Sequence, residues 1–107
     1  MNEDDLPRIA GLSGAELARA RTVAMHSPLP SEAEQTLIWT VTVLTAEAIP
    51  LAESRATSPD YPVPLTEIAQ PHLDVVGLVT VGRWQAEITG DGSPRFSAPV
   101  RLHPGRH

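Results

Sequence analysis

Between residues 75 and 102, apolar and polar side chains alternate twice, on either side of Gly90-Asp91-Gly92. In the first arm Val76, Leu78, Trp84, Ala86 and Ile88 share one parity, and Arg83, Gln85, Glu87 and Thr89 take the other, the period-two pattern of a strand wet on one face. In the second arm Phe96, Ala98, Val100 and Leu102 are the apolar series and Arg95, Ser97, Pro99 and Arg101 the polar one. The pattern predicts a β-hairpin. A three-residue loop with Gly92 in the left-handed conformation sets Glu87 opposite Arg95 and Trp84 opposite Ala98. A slip of two residues would instead oppose Arg83 and Arg101, like charges facing each other, so the first register is preferred. Pro99 has no amide hydrogen to give to a ladder, which places the second arm at a sheet edge. A bend at Gly82 would split off residues 76–81 as a third strand.

Upstream, the pattern turns helical. Ser13 reads as an N-cap, with Glu16 completing a capping box and Leu12 and Leu17 at the two positions of a hydrophobic staple. The helix it opens is expected over residues 14–26, with Leu17, Ala20 and Ala24 inward, until Pro28 and Pro30 close it. A second box, Ser31 with Glu34, precedes residues 35–48, where two signals conflict. Leu37, Ile38, Val41, Leu44 and Ala48 form a helical stripe, whereas Trp39-Thr40-Val41-Thr42-Val43 alternates and is rich in β-favouring residues. The box and the flanking Glu and Ala favour helix, a second and deeply buried one, kinked or restarted at Pro50. Residues 56–64 carry loop chemistry, and residues 65–70 make one or two helical turns before Pro71. The expected architecture is α+β: two main N-terminal helices and a short third helix packed on a C-terminal antiparallel hairpin or three-stranded sheet.

At 107 residues the chain is one small domain, residues 1–107, with 1–11 a lead-in and 103–107 a tail that are both expected to be flexible. Eleven prolines and 4% aromatics point to an aliphatic core and much irregular backbone. The absence of cysteine removes disulfides, thiolate metal sites and a cysteine nucleophile. An acidic start, Met1-Asn2-Glu3-Asp4-Asp5, and the lack of a long apolar run lead to the expectation of a cytoplasmic protein without signal peptide or membrane span.

The net charge of −5 is unevenly placed: residues 1–82 hold eleven acids and four arginines, residues 83–107 two acids and four arginines. The hairpin end is thus mildly basic. Every basic residue is arginine, which a GC-rich coding bias of bacterial type explains at least as well as selection for bidentate contacts.

No catalytic grouping emerges. There is no Gly-x-Ser-x-Gly elbow, and Ser93 belongs to turn chemistry. Of His26, His72, His103 and His107 only the last two are close, and Pro104 and Gly105 break the helix that would align them on a metal. Gly11-Leu12-Ser13-Gly14 lacks the strand and lysine of a phosphate loop. Glu32, Glu34, Glu47 and Glu53 are accounted for by capping and solvation. No catalytic residue, metal ligand or cofactor is therefore assigned, and the reading leans away from an enzyme. Leu65-Thr66-Glu67-Ile68-Ala69 resembles the opening of a helix-turn-helix and the basic hairpin resembles the wing of a winged-helix DNA binder, but too few residues, Pro71 among them, separate Ala69 from Val75 for a recognition helix, and the acidic surface disfavours phosphate contacts.

The functional expectation is a non-enzymatic protein–protein interaction or assembly module. It uses the hairpin edge, with Arg83, Arg95, Arg101 and Pro99 as the partner-binding residues and a protein, or a second copy of the chain, as the partner. The alternatives are the winged-helix-like DNA binder and a small-molecule-binding domain or enzyme with a pocket between helix and sheet.

Overall fold

A computed structural model describes residues 6–30, 36–59, 63–88, 90, 92 and 94–102. Six strands dominate it: β1 (Thr22–Pro30), β2 (Thr36–Leu44), β3 (Pro50–Pro59), β4 (Leu78–Thr80), β5 (Gln85–Ile88) and β6 (Pro94–Leu102). Among the described residues a 3-10 turn (Ile9–Gly11) and two helices, α1 (Gly14–Leu17) and α2 (Leu65–Asp74), complete it. The strands form one curled antiparallel sheet, half of a barrel, in the order β3-β2-β1-β6-β4, with β5 also on β6. Helix α2 touches both β3 and β4, the two ends of that order. With neighbouring strands about 4.8 Å apart, one helix reaches both ends only because the sheet wraps around it.

The alternation of each strand supplies the core. Val23 and Met25 of β1, Trp39, Val41 and Val43 of β2, Ala52 and Ala56 of β3, and Ala98 and Val100 of β6 share the helix face. They meet Ile68, Ala69 and Leu73 of α2 and Ile9 and Leu12 of the lead-in. Trp39 is anchored by its Nε1–H, which donates to Ser58 Oγ at 3.0 Å, and its ring lies 6.2 Å from that of Phe96.

The expectation of two main helices is overturned. The capping box at Ser13 and Glu16 is formed, but it opens a helix of only four residues. Short helices are marginal without tertiary burial, and residues 22–26 gain more as a strand paired on both sides, where Val23, Ala24 and Met25 are fully buried. Residues 36–44 are strand as well. Their apolar character on both faces reflects a strand lying between β1 and β3, with Thr42 and Leu44 covered on the far face as Trp39, Val41 and Val43 are on the helix face. Pro50 begins β3 rather than a kink, and β3 runs to Pro59 through what reads as loop sequence. Pro71 does not end α2, which continues to Asp74; the Gln70 side chain donates to Asp74 Oδ1 at 2.7 Å and to the Leu78 carbonyl at 3.1 Å, tying the last turn to β4.

The hairpin register is the expected one, Glu87 opposite Arg95, and Gly92 has φ +87°. The separate strand after a bend also forms, with β4 on β6 and Gly82 at φ +89°. The edge position of the second arm does not hold. β6 pairs with β1 along one side and with β5 and β4 along the other. Pro99 is tolerated in this interior strand because of where its nitrogen points. The Val100 amide donates toward β1, to the Arg21 carbonyl, so the Pro99 nitrogen faces the opposite side, at the break between β5 and β4 where the ladder partner changes. The Ser31 and Glu34 box, residues 60–62 of the loop, Thr89, Asp91 and Ser93 of the turn, and the two ends at 1–5 and 103–107 lie outside the described residues. Among the described residues no helix is long and apolar enough to cross a membrane.

Candidate functional site

The sheet face turned away from α2 carries the more polar parity of every strand but β4. Two cross-strand rows organise it. One runs Arg55, Thr40, His26, Arg95, Glu87 from β3 to β5, and the other Glu53, Thr42, Ala24, Ser97, Gln85. Directly opposed residues on such a face hold their Cβ atoms about 5 Å apart, so each row is a line of neighbours. Ala24 is the small member at the centre of its row, and it forms the floor of a depression between larger side chains.

That depression is a cleft of about 230 Å3. Leu44, Ala48 and Pro50, around the β2–β3 turn, form one wall with Leu6; His26 and Arg95 form the other, and Glu53 stands at the β3 side. The wall is fixed from below by Thr45, whose buried hydroxyl accepts from the amides of Glu47 and Ile49, each at 3.2 Å. This geometry holds Ala48 at φ +65°, a left-handed conformation costly for any residue with a Cβ. Leu6 is brought to the cleft because the lead-in crosses the β3 edge: the Glu53 amide donates to the Pro7 carbonyl at 2.9 Å and the Ile9 amide to Ser54 Oγ at 3.0 Å.

Two polar atoms of the cleft residues are buried without a hydrogen-bond partner among the described residues, Thr42 Oγ1 and Arg95 Nε. Thr42 is only 5% exposed. Arg95 Nε does lie 3.4 Å from Glu87 Oε1, a charge contact without the geometry of a hydrogen bond. A buried hydroxyl left unpaired costs roughly 1–3 kcal/mol, which makes Thr42 the exceptional polar residue of the sheet.

The structure disperses the residues expected to bind a partner. Arg95, Pro99 and Arg101 share the far face of β6, but Arg101 lies six steps along the strand from Arg95, about 20 Å at 3.3 Å per residue. Arg95 is engaged with Glu87, Arg101 and Pro99 are exposed, and Arg83 is exposed on the link between β4 and β5. The open side of the hairpin belongs to β5, whose four residues are all exposed, Ile88 by 70%. Trp84, just before β5, turns to the helix face and donates from Nε1 to Thr66 Oγ1 of α2 at 2.9 Å. Trp39, expected on the second helix, belongs to β2.

Thr42, Ala24, His26 and Glu53 were invisible as a group in the sequence, because a cleft on a sheet is assembled from strands whose pairing is not local. Reading residues 39–43 as strand would have put Thr42 opposite the apolar face, but not under cover. Among the described residues no three of His, Cys, Asp or Glu cluster as metal ligands would. No family model, curated protein or solved structure matches the chain.

Proposed function

We propose that this chain is a non-enzymatic assembly module that joins a second copy of itself along the free side of the hairpin, strand β5. The observation that carries the reading is the exposure of all four β5 residues beside an unpaired strand side among the described residues, with Ile88 70% exposed. Ladders recruit strands at such edges, and protection commonly comes from lysine, proline or a bulge. β5 has none of these, only Glu87.

A two-fold arrangement suits its sequence. Pairing Ala86 with its own copy sets Gln85 opposite Glu87 and Ile88 opposite Trp84 across the joint, so apolar residues extend the helix face from one copy to the next. Centring the pair on Glu87 instead would oppose two carboxylates, which disfavours that register. Arg83 and Arg101 flank the hairpin as exposed cations and would help to steer an acidic surface toward it. Sedimentation across a concentration series tests the reading. The native chain is expected to dimerise at high micromolar concentration and Ile88→Lys to remain monomeric; a native chain that stays strictly monomeric overturns it.

A further inference from the structure

We propose that the cleft on the far face of the sheet is a binding site for a small aliphatic zwitterion of the amino-acid class. The site is independent of the β5 edge, since its walls come from β1, β2, β3, β6 and the β2–β3 turn. Size sets the first limit. Sites for drug-sized ligands occupy about 300–1,000 Å3, and the cleft, at about 230 Å3, suits a metabolite of amino-acid size rather than a nucleotide.

Charge sets the second limit. The cleft has a cation, Arg95, at one side and an anion, Glu53, at the other, on strands three places apart in the sheet order. A simple anion would meet Glu53 unfavourably and a simple cation Arg95, whereas a zwitterion satisfies both. The carboxylate would lie toward the guanidinium, which keeps donors beyond the Nε that faces Glu87. The ammonium would lie toward the Glu53 carboxylate.

Thr42 supplies the independent sign of a ligand. Thr42 lines the cleft and is almost wholly buried, and its hydroxyl has no hydrogen-bond partner among the described residues. An unpaired hydroxyl on a residue that shares the cleft with a guanidinium is a ready second contact for a carboxylate. Leu44, Ala48 and Pro50 provide an apolar wall for an aliphatic side chain. Their turn is held in a left-handed conformation at Ala48, a local cost of the kind that accumulates at ligand sites.

The experiment is a nuclear magnetic resonance titration of the full chain with L-leucine, with isovalerate as the carboxylate-only probe and isoamylamine as the amine-only probe. Leucine at millimolar concentrations is expected to shift the amides of Ala24, Thr42 and Glu53 saturably, and each single-charge probe to bind about tenfold more weakly or worse. Thr42→Val keeps shape and strand propensity while removing the hydroxyl. It is expected to raise the thermal midpoint of the free protein and to weaken leucine about tenfold, a split that a purely structural threonine would not produce. Arg95→Gln, judged folded by its spectrum, is expected to lose leucine binding. The proposal is overturned if leucine gives no saturable shifts, if Thr42→Val binds leucine like the native chain, or if isovalerate or isoamylamine binds as tightly as leucine.

Discussion

Glu16 and Ser13 close a reciprocal pair at the start of α1: the Ser13 amide donates to Glu16 Oε1 at 3.0 Å, and the Glu16 amide donates to Ser13 Oγ at 3.2 Å. Because the Ser13 amide favours the charged carboxylate, Glu16 titrates below its ordinary value of 4.5. A carboxyl depressed in the folded state contributes stability above its unfolded value and loses it as pH falls through the folded one. Glu16→Ala is therefore expected to be less stable than the native chain at neutral pH, with the gap closing below pH 4.5; urea unfolding at both pH values checks it. Ser13→Ala should cost about 0.5–1 kcal/mol, the low end of cap values, because the helix it serves is one turn long. This pair was legible in the sequence because every partner lies within four residues. Thr42 was not, since what buries its hydroxyl comes from other strands.

At the level of elements, α2 carries Pro71 in its interior. The ring leaves the Glu67 carbonyl without the amide that would bond it four residues on, a loss worth about 3 kcal/mol against Ala in a regular helix. Pro71→Ala gives back part of that loss and surrenders about 1 kcal/mol through a looser unfolded chain, so a net gain of about 1–2 kcal/mol is expected. A thermal midpoint no higher than the native one would mean that the helix has already adjusted its curvature around the ring. The same element explains a misreading: a proline marks a helix end on average, but Leu73, fully buried beyond it, holds the last turn in place. In β2 the conflict had the opposite outcome. A strand covered on both faces has an apolar pattern that a buried helix shares, and the alternation of Trp39, Val41 and Val43 with Thr40 and Thr42 was the signal that decided. For β6 the hairpin register was readable from Gly92, Glu87 and Arg95, whereas its neighbour β1 was not, because nothing local in residues 94–102 announces a partner some seventy positions earlier.

For the whole molecule, the consequence of the sheet order is that distant parts of the chain must meet before any of it is stable. Thr22 pairs with Pro99, and α2 touches strands at both ends of the sheet. Pairing of this range places folding among the slower small domains, in the millisecond to second range, about as for other sheet-rich folds. It also makes α2 a shared support. Leu73 is fully buried, in the same cluster as Leu78 of β4 and Ala52 and Ala56 of β3. Leu73→Ala should then cost about 2–5 kcal/mol, the range for a buried leucine, whereas truncation of neighbouring Val75, 63% exposed, should stay within about 0.5 kcal/mol. Hydrogen exchange carries the sharper test. If the wrapped sheet depends on its helix, Leu73→Ala accelerates exchange in β3 and β4 together, though β2, β1 and β6 lie between them. Acceleration confined to α2 and β4 would mean that β3 is held by β2 and the crossing lead-in alone, and that the two ends of the half-barrel are stabilised independently.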